Sequence, residues 1–278
     1  MQEIKWRTSQ QPRPLPAGRW RMAQRWNDLL FAHWRVEPRQ IAPLLPEGLV
    51  VDTFDRSAWL GVIPFWMDRI RLRGLPSIPG ARRFPELNLR TYVRDLRTGT
   101  PGVFFLSLDG GNLLGALAAR SLYHVPYHWA RMRLEERSGR DFEFSSRRRL
   151  SRAPVVFNAR YRGLGPTCRL AESRPGSLEY FLTERYCLFT RTASGQLACV
   201  NVFHAPWPLE QARAEIERND LPAAAGIEIR AQDPVLYYAR RLAVYMGSPE
   251  LVAPARVHRH IPAQAMPSVW RPLPFPIK

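Results

Sequence analysis

One stretch, Phe84 to Val93 with the sequence FPELNLRTYV, constrains the fold more than any other part of the chain. Read with the two-residue repeat of a β-strand, it places four different polar side chains on one face and mostly apolar ones on the other. The polar four are Glu86, Asn88, Arg90 and Tyr92. This row is about 20 Å long at roughly 3.3 Å per residue and is typical of a pocket wall. An exposed edge strand fits the same pattern, so the sequence leaves both interpretations open.

The chain has enough apolar residues to bury a core of its own. Of its 278 residues, 45% are hydrophobic, including nine Trp and 13 Phe. The first residues are polar and basic, unlike a secretory signal, and the longest nearly apolar run, Ala58 to Met67, is too short to cross a bilayer. We therefore expect a cytoplasmic protein without a membrane partner, and leave open whether it forms a homo-oligomer.

The cysteines and histidines do not have the spacing of a metal site. Cys168, Cys187 and Cys199 are odd in number and lack CxxC spacing, so we expect buried thiols without disulfides. His258 and His260 form an HxH pair in the Pro-rich tail, where adventitious metal binding is the simpler interpretation. No glycine-rich phosphate loop is present. The sequence predicts neither a metal nor a cofactor.

The net charge of +17 raises the question of nucleic-acid binding. Only two of the 41 basic residues are lysines, Lys5 and Lys278, and the arginines are spread along the whole chain. The densest arginine runs, at 69–83 and 147–152, carry no interleaved aromatic side chains, and no DNA- or RNA-binding motif is present. We therefore expect no specific nucleic-acid partner.

The apolar pattern predicts a chain dominated by strands. The first strand is expected at Trp26–Trp34 and the last at Val235–Tyr245, and a run of strands begins at Tyr127. Leu49–Phe54 and Ala58–Met67 are expected to form a hairpin, with a second strand too apolar to face water on either side.

Helical signals are fewer than strand signals. Pro38–Leu45 repeats apolar residues at helical spacing, and Asn112–Leu122 is the most helix-like segment. Pro206–Asn219 also predicts a helix, because its apolar residues recur on one helical face. We expect one domain over residues 26–252, after a lead-in at 1–25 and before a Pro-rich tail at 253–278.

Five motifs along the chain carry a family resemblance. In order, they are LLFAHWRVEPRQIAPLLPEGLVVDTFD, AWLGVIPFWM, FPELNLRTYV, GSLEYFLTERYCLFT and HAPWPL. They resemble the uncharacterised family DUF2071, also called YqjF-like, over about Trp26 to Tyr245. That family is more distantly similar to acetoacetate decarboxylase. The resemblance implies an α+β, β-rich fold: an antiparallel β-barrel or cone with a central cavity and a few short helices.

The resemblance does not extend to the lysine chemistry of the decarboxylase. That enzyme forms a Schiff base through a lysine of lowered pKa, whereas both lysines here are terminal. The corresponding segment, Gly110 to Tyr127, offers Arg120, whose guanidinium stays protonated and forms no imine. The acidic residue that the decarboxylase carries near the place of Gly61 is also missing. We therefore expect no Schiff-base decarboxylation.

Glu86 is the main candidate for acid/base catalysis. An apolar cavity raises the pKa of a carboxyl group, while a nearby guanidinium lowers it. We expect Glu86 and Arg90 to point into the cavity within ion-pair or one-water distance of each other. Arg90 can anchor a carboxylate, with Asn88 and Tyr92 orienting the ligand. A structural ion pair between strands explains Glu86 and Arg90 equally well.

Four further residues complete the predicted ligand-binding set: Arg120, His128, Tyr186 and His204. His128 and His204 lie near expected strand ends beside aromatic residues, where a single histidine is often structural. Tyr186 fits either a cavity wall or an ordinary strand.

The leading hypothesis is a cavity protein that binds a small carboxylated or β-dicarbonyl molecule and uses Glu86 for acid/base catalysis. If the chain is an enzyme, we expect a lyase- or hydrolase-like activity on a small keto or carboxylic acid. The alternatives are a ligand-binding protein without catalysis and a basic protein associated with nucleic acid.

Overall fold

The computed structural model describes residues 20–74, 83–112, 123–165 and 174–252. Its architecture is dominated by strands, because most segments alternate apolar and polar side chains. In chain order the described strands are β1 Met22–Val36, β2 Leu49–Val51, β3 Ala58–Leu72, β4 Arg83–Asp95, β5 Pro101–Gly110, β6 Tyr127–Ser138, β7 Asp141–Arg148, β8 Val156–Gly163, β9 Cys187–Arg191, β10 Leu197–His204, β11 Leu209–Asn219 and β12 Val235–Leu251.

The helices of the described residues are short. They are α1 Pro38–Ile41, continued by a 3-10 turn at Ala42–Leu44, then α2 Leu178–Thr183 and α3 Leu221–Ala224. The first helix confirms the prediction for Pro38–Leu45. Ser177 is the N-cap of α2, and its side-chain oxygen accepts a hydrogen bond from the backbone N–H of Tyr180.

The sheet closes on itself. Strands β12, β1, β3, β4, β5, β9 and β10 are hydrogen-bonded in that order, and β10 pairs back to β12. We call these seven strands the closed ring. Strands β6, β7, β8 and β11 run outside it as a second path from β5 to β12, and we call them the outer layer. Closure leaves the ring strands without a free edge, which removes the exposed hydrogen-bonding groups of an open sheet.

Two apolar clusters lie on the two sides of β1, β3 and β4. The first cluster is inside the closed ring and includes Phe31, Phe65 and Tyr92. The second is between the ring and the outer layer and includes Leu89 and Phe144. Both faces of these three strands are therefore buried, which explains why β3 is nearly continuous in apolar residues, as predicted.

The predicted helix at Pro206–Asn219 is wrong. Residues Leu209–Asn219 form β11, which pairs with β8 and β12. The segment satisfies both periods, because Ala212, Ala214 and Ile216 also alternate with charged residues. In the fold these three residues pack against the cluster between the ring and the outer layer. Burial against that cluster decided in favour of the strand.

The predicted hairpin between Leu49–Phe54 and Ala58–Met67 is also wrong in its pairing. β2 pairs with β4, and only a single bridge joins Phe54 to Ser57. Strand β5 pairs in parallel with β6 and with β9, and every other pairing between the described strands is antiparallel.

Cys187 and Cys199 lie on the paired strands β9 and β10 and are joined by a disulfide. The expectation of free thiols is therefore wrong for these two cysteines, because sequence spacing does not show which strands become neighbours.

Several predictions fall outside the described residues. They concern the helix from 113 to 122 with Arg120, Cys168, both lysines, and the tail with its two histidines. Across the ranges that the structure does describe, no helix has the length and apolarity needed to cross a bilayer. The cytoplasmic location and the domain boundaries stay predictions.

We expect Gly102→Ala to destabilise the closed ring. A Cβ at this position of β5 would lie 2.6 Å from the carbonyl oxygen of Cys187 and 2.7 Å from the ring of Phe189, where β5 meets β9. Overpacking of this kind costs about 1–3 kcal/mol of unfolding free energy, measurable by urea denaturation. Gly247→Ala in β12 is the control, since its Cβ would have ordinary contacts from 3.5 Å. Equal effects at both glycines would contradict the close approach of β5 and β9.

Candidate functional site

The polar row of β4 faces the inside of the closed ring. Glu86, Asn88, Arg90 and Tyr92 are only 8, 4, 7 and 0% exposed. β4 is paired on both sides, with β3 and with β5, so the alternative of an exposed edge strand is wrong. The opposite face of β4 packs against the outer layer. Four different polar groups are thus held in an otherwise apolar interior, where each needs a partner.

Glu86 is held by a tyrosine from β6. The hydroxyl of Tyr127 donates a hydrogen bond of 2.7 Å to Oε2 of Glu86. A side chain at position 110 would overlap the ring of Tyr127, so Gly110 leaves the space that this ring occupies. Burial raises the pKa of Glu86 to about 7, the hydrogen bond from Tyr127 opposes that rise, and the charge of Asp109 adds to it. A carboxyl group with this pKa can donate or accept a proton near neutral pH.

Arg90 forms no ion pair with Glu86, so the ion-pair form of the prediction is wrong, while a separation bridged by one water stays a prediction. Its Nη2 donates to the Leu182 carbonyl oxygen of α2 at 3.1 Å and to the Tyr92 hydroxyl at 3.3 Å. No ion pair between Glu86 and Arg90 occurs, although both residues are described. Four steps along an extended strand span about 13 Å, so each side chain turns to a nearer partner.

His33 of β1 completes this part of the site, and the sequence interpretation missed it. Its Nε2 lies 2.6 Å from the Tyr92 hydroxyl, which donates to the Leu182 carbonyl oxygen at 2.8 Å. Nε2 is therefore the donor to Tyr92, and Nδ1 is left as an acceptor. Burial, followed by the charge of Arg90, holds the pKa of His33 well below its ordinary value. The available signal was the spacing of His33 from Phe31, which puts both on one face of β1.

The space for His33 exists because position 61 is a glycine. A Cβ at Gly61 of β3 would lie 3.0 Å from the imidazole of His33. The neutral imidazole of His33 therefore occupies the space beside Gly61.

Several buried polar atoms around this row have no hydrogen-bond partner among the residues that the structure describes. They are Asn88 Oδ1, Arg90 Nε, His33 Nδ1, Trp26 Nε1 and Trp207 Nε1. Buried polar atoms in folded proteins are paired in the great majority of cases, so a cluster of unpaired ones indicates a place for a ligand or water.

Aromatic rings surround the unpaired atoms. Trp26 stacks on Trp207 with ring centroids 5.9 Å apart, and Phe31 meets Trp207 edge-on at 4.9 Å. The guanidinium of Arg90 lies 5.5 Å from the centre of the Phe31 ring. The site therefore combines flat apolar walls with a few unpaired donors and acceptors, as small-molecule sites do.

Tyr186 and His204 come together on the same side as Trp207. Tyr186 stacks on His204 with ring centroids 4.6 Å apart, and its hydroxyl donates a short hydrogen bond to Glu184. The other oxygen of Glu184 accepts from the backbone N–H of Trp207 at 3.1 Å. Burial lowers the pKa of His204. The two predicted residues are therefore linked to the aromatic wall of the ring through Trp207 and Glu184.

His128 lies elsewhere. It is exposed and lines a crevice of about 710 Å³ near Phe105, His124 and Thr190. Tyr127 also lines this crevice, and its hydroxyl reaches Glu86. The tyrosine therefore connects the crevice with the row on β4.

Ser107 and Asp109 form no catalytic triad. Arg148 of β7 donates to Asp109 at 2.8 Å and to Ser107 at 2.7 Å. Burial raises the pKa of Asp109 to about 6, against the effect of Arg148. This buried ion pair joins the outer layer to β5, so we assign it a structural role.

Within the described ranges, His, Cys, Asp and Glu side chains form no cluster of three or more that could hold a metal ion. The buried carboxylates of the ring interior, Glu86 and Glu184, are each hydrogen-bonded to a tyrosine instead. These carboxyl and hydroxyl groups of the ring interior can donate or accept protons.

Comparison with known proteins supports the sequence resemblance. The model of the family DUF2071, described as an uncharacterized conserved protein, matches residues 23–243. The chain is 42% identical over 227 residues to the uncharacterized protein YqjF of Bacillus subtilis strain 168, covering 82% of this chain and 90% of that protein.

Solved structures show the same fold at low sequence identity. An acetoacetate decarboxylase-like enzyme from Sphingomonas wittichii RW1 is similar with a TM-score of 0.57 at 13% identity, over 85% of this chain and 95% of that one. The enduracididine biosynthesis enzyme MppR complexed with pyruvate gives 0.54 at 10% identity, over 84% and 91%. Acetoacetate decarboxylase from Legionella pneumophila gives 0.53 at 14%, over 87% and 91%. The predicted β-rich, acetoacetate decarboxylase-like fold is confirmed.

We expect Glu86→Gln to remove a pH-dependent loss of stability. As the pH rises from 4.5 to about 7, the carboxyl group of Glu86 stays protonated in the folded protein but ionises in the unfolded chain. The unfolded state binds fewer protons in this window, so wild-type stability falls there, by on the order of 3 kcal/mol in total. Glutamine cannot ionise and avoids this loss.

Urea denaturation below pH 4.5 and above pH 7 measures the difference. The variant should gain on the wild type at the higher pH. Glu217→Gln, on the exposed side of β11, is the matched control and should follow the wild type. Parallel pH profiles for Glu86→Gln and the wild type would contradict the raised pKa.

Proposed function

The chain belongs to the uncharacterized conserved family DUF2071, and we propose that it binds a small carboxylated or β-dicarbonyl molecule inside the closed ring. We further propose that Glu86 transfers a proton to or from this ligand. One observation carries the proposal. On a single strand face, a carboxyl group with a pKa of about 7 is buried with an amide oxygen and a guanidinium nitrogen that lack partners within the described part of the chain.

The unpaired atoms suit an oxygen-rich anion. Arg90 keeps Nε free to donate, while its Nη2 is fixed by the Leu182 carbonyl oxygen and the Tyr92 hydroxyl. Buried guanidinium groups bind carboxylates strongly, because the hydrogen bond is charge-assisted. Asn88 Oδ1 adds an acceptor for a ligand hydroxyl or enol. A protein of similar fold, MppR, is described as complexed with pyruvate, which supports a keto acid as the ligand class.

Glu86 suits proton transfer at a carbon next to a carbonyl group. With a pKa of about 7, its acid and base forms are present in similar amounts at neutral pH. Tyr127 holds Oε2 and fixes the orientation of the carboxyl group. Oε1 has no hydrogen bond from the described residues, so it is the oxygen that we assign to the ligand proton.

Schiff-base chemistry is not part of the proposal. An imine needs a neutral amine, and the only lysines of the chain are Lys5 and Lys278, near its two ends. Instead of an amine, the ring interior offers the guanidinium of Arg90 and the neutral imidazole of His33. Catalysis in this site therefore rests on hydrogen bonding and on proton transfer by Glu86.

Ligand binding without turnover is the second candidate function. The aromatic walls formed by Trp26, Phe31 and Trp207 favour binding of a planar molecule whether or not it reacts. The two functions differ in whether Glu86 transfers a proton to or from the bound ligand, which hydrogen–deuterium exchange of the ligand measures.

We expect pyruvate or acetoacetate to raise the melting temperature of the protein, and Arg90→Ala to abolish this effect. Loss of a buried charge partner costs about 2–5 kcal/mol of binding free energy, or at least about 30-fold in affinity. Arg213→Ala, which removes an exposed arginine from β11, is the control and should bind as the wild type does. If Arg90→Ala does not fold, Arg90→Lys provides the test. This variant keeps the positive charge but lacks Nε, so it should bind the ligand weakly. If the ligand still raises the melting temperature of both Arg90 variants, a residue other than Arg90 binds the carboxylate.

We expect the protein to exchange the carbon-bound hydrogens next to the ketone for deuterium, as followed by NMR in heavy water. Glu86→Gln should slow this exchange by about 10²–10⁴-fold while binding is retained, because general acid/base groups contribute about that much. If Glu86→Gln binds the ligand and does not change the exchange rate, catalysis by Glu86 is contradicted and ligand binding without turnover is favoured. Borohydride treatment should trap no adduct in residues 20–252. An adduct there would overturn the exclusion of imine chemistry.

A further inference from the structure

The loop between β7 and β8 presents a leucine to solvent. Leu150 is 88% exposed, more than any other large hydrophobic residue described. The arginines Arg149 and Arg152 lie on either side of it in the chain. Exposed single apolar residues are common, but this one stands at the tip of a basic loop.

Strand pairing brings a tryptophan to the same place. The backbone N–H of Arg149 donates to the carbonyl oxygen of Trp129 at 3.0 Å, which continues the pairing of β6 with β7. The Arg149 guanidinium lies 5.5 Å from the centre of the Trp129 ring. Trp129 is itself 36% exposed. The sequence showed no aromatic residue within the arginine run at 147–152, and the fold supplies one from another strand.

Two further arginines face each other beside this tryptophan. Arg131 of β6 is directly opposite Arg147 of β7, and both are exposed. Like charges directly opposite each other on neighbouring strands are destabilising. Among the described acidic residues, none forms an ion pair with Arg131, Arg147 or Arg149, since Glu135 and Glu143 pair with arginines farther along the hairpin.

We define the Trp129–Leu150 patch as Trp129, Arg131, Arg147, Arg149 and Leu150. We propose that this patch binds the surface of an anionic lipid membrane. In this arrangement Leu150 enters the boundary of the acyl chains, Trp129 lies at the interface, and the arginines contact anionic headgroups. This interaction is separate from the ligand site in the ring, and it departs from the sequence prediction that the protein has no membrane partner.

A lipid surface fits the patch better than a nucleic acid does. Both ligands supply negative charge, but a protruding leucine gains free energy only where it leaves water. Single-stranded nucleic acid is bound by base stacking on open aromatic faces, whereas one side of Trp129 is already occupied by Arg149. The apolar tip ringed by arginines therefore favours a bilayer.

Vesicle sedimentation of the full chain tests the proposal. The protein should sediment with vesicles that contain phosphatidylserine and remain in solution with phosphatidylcholine vesicles, and added salt should weaken the binding. Leu150→Ala combined with Arg149→Ala should reduce partitioning about 50-fold, at about tenfold for the leucine and about fivefold for the arginine.

The matched control is Leu96→Ala combined with Arg97→Ala, which removes the same atoms and charge from another exposed turn, where Leu96 is 62% exposed. It should bind vesicles as the wild type does. Equal losses in the two double variants would show binding by net charge alone and would overturn the proposal. Absence of vesicle binding would also overturn it, as would binding of a single-stranded oligonucleotide that depends on the patch while vesicles are ignored. Thermal melting of both variants checks that they fold.

Discussion

The burial of β4 on both faces is the constraint on which the rest of the structure depends. Closure of the sheet places β4 between β3 and β5 within the ring and between two apolar clusters. Its inward polar groups are removed from water, so they must find partners in the protein or in a ligand. The Tyr127 hydroxyl and the Leu182 carbonyl oxygen meet part of that need, and they come from β6 and α2. The site thus ties together elements far apart in sequence.

The pairing inside the ring is incomplete, and this links the fold to the proposed function. A buried polar atom without a partner costs about 1–3 kcal/mol, so the unpaired atoms of Asn88, Arg90 and His33 together weigh against stability. A ligand that pairs with them returns this free energy as affinity. The similar decarboxylase-like structures show that the scaffold is shared, whereas the chemistry depends on the residues that line it. Here the ring interior holds a neutral histidine and an arginine, and the chain's only lysines, Lys5 and Lys278, lie near its two ends.

In the outer layer, successive side chains of β7 point to opposite faces of the sheet, so neighbouring arginines lie on different surfaces. On β7, Arg148 points inward and pairs with Asp109, while Arg147 points outward beside Arg131. The inward arginine fastens the layer to β5, and the outward ones give the hairpin its positive charge. One basic run in the sequence therefore divides into a structural contact and an exposed surface, which the fold alone makes visible.

The sequence by itself determined what depends on local pattern and on composition. The alternation in FPELNLRTYV put the four polar residues of β4 on one face, five motifs indicated the family, and the positions of the two lysines argued against imine chemistry. Tertiary structure decided everything that depends on which strands become neighbours. It gave Glu86 and Arg90 different hydrogen-bond partners, and the partner of Arg90 is the Leu182 carbonyl oxygen of α2. It also placed His33 within hydrogen-bond distance of Tyr92 and allowed the disulfide between Cys187 and Cys199. The strand repeat fixes the face on which a side chain lies, but its partner is set by ring closure, which brings together residues that are distant along the chain.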